Sequence, residues 1–134
     1  MLTDEQIKSA IDEMGIYFGA DEPYDHIRMA YEWLDAQEKT KRVMSKSVMF
    51  NSELPTPRQM CIDWCGWFMC ENAFAIAAYM HPEIKGEYPR FNISSKYTLP
   101  RIERINGMKG IIANDGYFGG KLWLKFHARK EADQ

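Results

Sequence analysis

The sequence predicts an α+β protein in which three N-terminal and central helices, the third of them buried, pack on a small, mostly antiparallel C-terminal β-sheet. Three observations lead there. Helix-start signals at Thr3, at Asp21-Glu22-Pro23 and at Thr56-Pro57 are each followed by apolar residues at helical spacing. After Pro82 the texture changes to β-favouring residues with frequent glycines. Residues 121–128 then alternate strictly, with Leu122, Leu124, Phe126 and Ala128 facing one way. At 134 residues, 46% hydrophobic and 27% charged, the chain reads as one domain over 1–134, helical over 1–82 and β-rich over 88–130.

Each element has its own grammar. Thr3 and Gln6 make a capping box and Leu2 with Ile7 a hydrophobic staple, so the first helix starts at Asp4. Ile7, Ile11 and Met14 line its inner face, and Gly15 suits its end. Pro23 fits the first turn of a second helix, with Asp21 and Glu22 beside the positive end of the dipole. Ile27, Ala30, Tyr31 and Leu34 carry that helix to about Arg42, where Lys39, Lys41 and Arg42 complement its negative end. Residues 43–57 are mixed and closed by two prolines, which predicts a connecting loop. Thr56, Pro57 and Gln59 repeat the start signal, making CIDWCGWFMCENAFAIAAYMHP (61–82) the body of a third, central helix.

In the last third, Tyr88-Pro89 and Leu99-Pro100 bracket the strand-like FNISSKYTL. Asn106-Gly107 is the preferred dipeptide of a two-residue hairpin between RIERI and MKGIIA, which would place Arg104 opposite Lys109 and Ile102 opposite Ile111. Asn114-Asp115-Gly116 is a second turn, and KLWLKFHARK is the final strand.

The chemistry-bearing candidates concentrate in the third helix. Cys61, Cys65, Cys70 and His81 invite a metal reading, but at about 100° per residue Cys70 points away from the other two. The spacing also lacks the short knuckles of structural zinc, so no metal and no cofactor is expected. A nucleophilic thiol needs a helix N-terminus or a cation, which leaves Cys61 near Arg58, with His26, His81 or His127 as base through tertiary packing. Asp63 and Glu71 are too far apart on one helix for a direct carboxylate pair; Asp63 with His81 remains the other enzymatic combination. The polar breaks at Asp63, Glu71 and Asn72 interrupt the apolar run and argue against a membrane span. No phosphate-binding glycine loop, nucleophile elbow or zinc-protease motif occurs.

Charge is uneven beneath a net value of -2: ten acids against six bases precede residue 47, and nine bases against four acids follow from Arg90. The basic end interleaves Lys121, Trp123, Lys125, His127 and Arg129 on one strand face, with Arg104 and Lys109 nearby in the hairpin. Bases beside an aromatic platform are the groups single-stranded nucleic acids use. Three clustered cysteines, and no basic segment followed by an apolar run in MLTDEQIK, predict a reducing cytoplasm.

The segments LTDEQIKSAIDEMGI, AYEWLDAQEKTK and HPEIKGEYPRFNIS resemble small accessory proteins of phages and prophages of enteric bacteria. That resemblance implies a protein that acts by binding host machinery, and it carries over no functional residue. The leading expectation is a non-enzymatic interaction protein that binds and modulates or inhibits a host protein or complex. Nucleic-acid binding through the basic strand is the first alternative, and a small enzyme using Cys61 or Asp63 with His81 the second.

Overall fold

Thr3 closes a reciprocal cap on the first helix: its hydroxyl accepts from the Gln6 amide at 3.1 Å while its own amide donates to Gln6 Oε1 at 2.9 Å. The computed structural model describes residues 1–46, 54–110 and 128–132. Helix α1 spans Asp4–Met14 and stops at Gly15, which turns left-handed at φ 64° and returns its amide to the carbonyls of Ile11 and Asp12. Ile7 is fully buried and Leu2 packs, partly buried, against the core.

Helix α2 spans Tyr24–Ala36, with Pro23 as its cap, and packs Ile27, Met29, Ala30, Trp33 and Leu34 inward. It ends well before the expected Arg42. The cause is Gln37, a buried side chain that donates to the carbonyls of Trp33 at 3.0 Å and Thr98 at 2.8 Å and accepts from the Thr98 amide at 2.8 Å. The backbone becomes extended there and runs beside residues 91–94, through Thr40 to Asn92, Met44 to Phe91 and Ser94 to Glu38. Lys41 and Arg42 therefore lie beyond the helix, whereas Lys39 Nζ still donates to the Asp35 carbonyl in its last turn at 2.6 Å. Gln37→Leu leaves both polar groups of Thr98 without this partner and is expected to lower stability by about 2–3 kcal/mol, read as a shifted urea midpoint.

The expected long third helix is two. Helix α3 spans Pro57–Cys65, capped by Thr56, whose hydroxyl accepts from the Gln59 amide at 3.2 Å. Gly66 ends it at φ 79° with its amide on the Ile62 carbonyl at 2.9 Å. Cys70 then caps helix α4, Glu71–Met80, by accepting from the Ala73 amide at 3.4 Å. A left-handed glycine followed by a fresh cap reorients the chain, and Arg58 Nε holds the corner by donating to the Met69 carbonyl at 3.0 Å. Among the described residues there are thus four α-helices, not three, and α4 is the one packed most closely on α2.

The β part also differs from the single, mostly antiparallel sheet expected. β1 (Gly86–Glu87) and β2 (Arg90–Phe91) form an antiparallel hairpin around Tyr88-Pro89. A Cβ at Gly86 would lie 2.4 Å from the Arg90 carbonyl oxygen, so the hairpin requires glycine there. β3 (Thr98–Leu99) pairs in parallel with β4 (Arg129–Lys130), through Arg129 to Tyr97 at 3.1 Å and Glu131 to Leu99 at 2.9 Å. The expected hairpin arm RIERI is instead a 3-10 helix, Ile102–Ile105, that buries Ile105, so Arg104 does not stand opposite Lys109 across a ladder. Ile111, the turn at 114–116 and the strand residues 121–127 lie outside the described residues. The architecture is mixed α and β, and its centre is aromatic: Trp33 meets Phe74 at 5.9 Å and Tyr97 at 5.6 Å, and Phe74 meets Phe91 at 5.8 Å. No helix among the described residues is long and apolar enough to cross a membrane.

Candidate functional site

The cysteines expected on one helix are divided by the α3–α4 corner. Cys61 is wholly enclosed, and burial together with the hydrogen bond to Cys65 pushes its thiol well up. A nucleophile requires the reverse. Cys65 goes the other way: the hydrogen bond from Cys61 lowers it against the opposing effect of burial, helped by the Trp67 amide at 3.4 Å. Cys70 is spent on capping α4 and lies 3.5 Å from a Glu22 carboxylate oxygen. Asp63 is half-buried on α3 and Glu71 opens α4, so the two acids belong to different elements.

The histidines are committed elsewhere. His26 is buried on α2, and burial pushes its imidazole down. His81 caps the end of α4: its Nδ1 accepts from the Glu83 amide at 3.1 Å, which places the proton on Nε2, 2.9 Å from Asp35 Oδ1. Ring nitrogens and carboxylates of Asp35, His81 and Glu83 lie within 4.8 Å of one another, the spacing of a metal site. The chemistry around them is wrong for one. Nε2 carries a proton instead of a lone pair, the other oxygen of Asp35 accepts from Arg104 Nη1 at 3.0 Å, and Lys39 adds further positive charge.

Arg104 gathers this region. Its guanidinium reaches Glu32 at 2.8 Å, Asp35 at 3.0 Å and Glu131 at 2.5 Å, tying α2, the 3-10 helix and the residue that follows β4 together. The hydrogen bond from Arg104 holds the Glu131 carboxyl below the ordinary range, against burial. Burial alone would raise Asp35, but the bonds from His81 and Arg104 hold it low as well. Of the bases proposed for nucleic acid, Arg104 is thus engaged by three carboxylates and Arg129 pairs with Glu38 at 2.8 Å. Lys109 donates its backbone amide to Asp25 at 2.8 Å, and Lys121, Trp123, Lys125 and His127 lie outside the described residues.

A separate groove is lined mainly by apolar side chains. About 310 Å³ in volume, it runs between the end of α1, α4 and the β1–β2 hairpin, lined chiefly by Met14, Ala75, Ala78, Tyr79, Tyr88 and Phe91. Glu87 lines it too, and Glu13 accepts a hydrogen bond from the Tyr79 hydroxyl at its edge. Tyr79 is 48% exposed. Across the hairpin, sharing Gly86, Glu87 and Tyr88, lies a second depression of about 490 Å³ that adds Val43, Lys46 and Arg90. Helix α1 beside the groove exposes Asp4, Glu5, Asp12 and Glu13 with Lys8 as its one base. Sequence reasoning missed this groove because Glu13 and Tyr79 are 66 residues apart and meet only in the fold. No family model, curated protein or solved structure matches the chain.

Proposed function

We propose that this chain is a non-enzymatic accessory protein of the phage type, working in the cytoplasm by binding and modulating a host protein or complex. The groove between α1, α4 and the hairpin takes an apolar side chain of the partner, and the carboxylates of Glu13, Glu87 and the outer face of α1 receive bases flanking it. The observation that supports this reading is the groove itself: Tyr79 and Tyr88 line an open apolar channel whose charged edge is acidic. Aromatic side chains with a polar tip are the usual anchors of protein interfaces.

Capture from a lysate of enteric bacteria, run in parallel with variants, tests it. A host protein retained by the native chain should be lost, by about tenfold or more, with Tyr79→Ala and with Glu87→Lys. It should be kept by Lys130→Glu, on β4. Equal retention by all variants would sink the reading, and retention abolished by nuclease would transfer the function to nucleic acid.

A further inference from the structure

At the α3–α4 corner Cys61 neighbours two further sulfur-bearing side chains, Cys65 and Met69. Cys61 and Cys65 stand one helical turn apart on α3, and the Cys61 thiol donates to Met69 Sδ at 3.9 Å. Met69 is four residues past Cys65, beyond the point where Gly66 ends the helix at φ 79°, and Arg58 holds it through its carbonyl at 3.0 Å. We propose that Cys61, Cys65 and Met69 form a binding site for a soft monovalent cation, copper(I), held by three sulfurs in trigonal geometry. A trigonal centre with metal–sulfur bonds of about 2.3 Å keeps its sulfurs about 4 Å apart. The Cys61–Met69 separation already has that value.

The donor set selects the metal. Two thiolates and a thioether suit copper(I), whereas structural zinc takes four ligands and calcium or magnesium takes oxygen. Loading exchanges one copper(I) for two thiol protons and leaves the centre with one net negative charge. The positive charge of Arg58 acts on Cys61, while the Asp63 carboxylate opposes from the Cys65 side. The Trp67 amide, 3.4 Å from Cys65 Sγ, stays in place as a donor to the thiolate. The donations from the Cys65 thiol to the carbonyls of Ile62 and Trp67 lapse when the proton leaves. Cys61 and Met69 are 0% exposed and Cys65 is 8% exposed, so the ion enters past Cys65 into a dry site.

Anaerobic titration of the full chain with copper(I) against a chromogenic copper(I) chelator tests this. One equivalent should be withdrawn from the chelator, and X-ray absorption should show three sulfur neighbours at about 2.3 Å. Met69→Leu conserves volume and fold; it should weaken binding by about tenfold or more and reduce the sulfur count to two. Cys65→Ala should abolish stoichiometric uptake, and Cys70→Ser should leave it unchanged, with circular dichroism confirming that each variant is folded. The proposal is overturned if the native chain takes no copper(I) from the chelator, if Met69→Leu binds undiminished, or if Cys70→Ser rather than Cys65→Ala removes the site. None of these results bears on the groove.

Discussion

Phe74→Ala is expected to destabilise the protein by about 4 kcal/mol, a large part of the total stability of a small domain. Phe74 is 0% exposed on the inner face of α4 and sits between Trp33, Tyr88 and Phe91 at centroid distances of 5.9, 6.3 and 5.8 Å. It therefore joins α2, α4 and the hairpin at one point, and removing it opens a cavity that three elements cannot close together. Phe74→Leu retains most of the volume and should cost about half as much. Urea denaturation of the native chain and both variants decides the matter. A loss under about 1 kcal/mol for the alanine variant would mean that this aromatic cluster is not the centre of the core.

Arg104→Met should lower stability at neutral pH by about 3 kcal/mol, because it leaves the carboxylates of Glu32, Asp35 and Glu131 facing one another without their cation. The sign of the pH dependence follows from the shifts. Asp35 and Glu131 are both held below their ordinary values in the fold, so their contribution is full above the unfolded carboxylate range of about 4 and is lost as pH falls through their folded values. In the variant the same carboxylates repel one another, and protonation relieves them. The gap between native chain and variant should therefore narrow steadily from pH 7 to pH 3, and also narrow in high salt at pH 7. A gap that is constant with pH would assign the loss to packing of the arginine stem.

What the sequence showed best was local. The caps at Thr3 and Thr56 depend on partners three residues away: both hydroxyls accept as read, and the reciprocal bond that completes the box is seen at Thr3. Burial of Ile7, Ile27, Ala30 and Leu34 followed from spacing alone. The failures all trace to distant partners or to a single permissive residue. Gln37 ends α2 by bonding Thr98, 61 residues on. Arg104 leaves its expected strand for carboxylates 72, 69 and 27 residues away. Gly66 was read through because one glycine costs a helix only about 1 kcal/mol, too little to decide between one helix and two. That corner brings Met69 to Cys61, so the sulfur cluster was hidden by the same misreading that placed all three cysteines on one axis. The groove was illegible for a related reason: its walls come from α1, α4 and the hairpin.

The groove's role is tested most directly by photo-crosslinking in the host lysate, with a photoreactive amino acid placed at position 79 in the groove or at position 130 on β4. One host-protein adduct is expected from position 79, the same protein that capture retains, and none from position 130. Adducts from position 130 alone, or no protein adduct from position 79, would contradict that role.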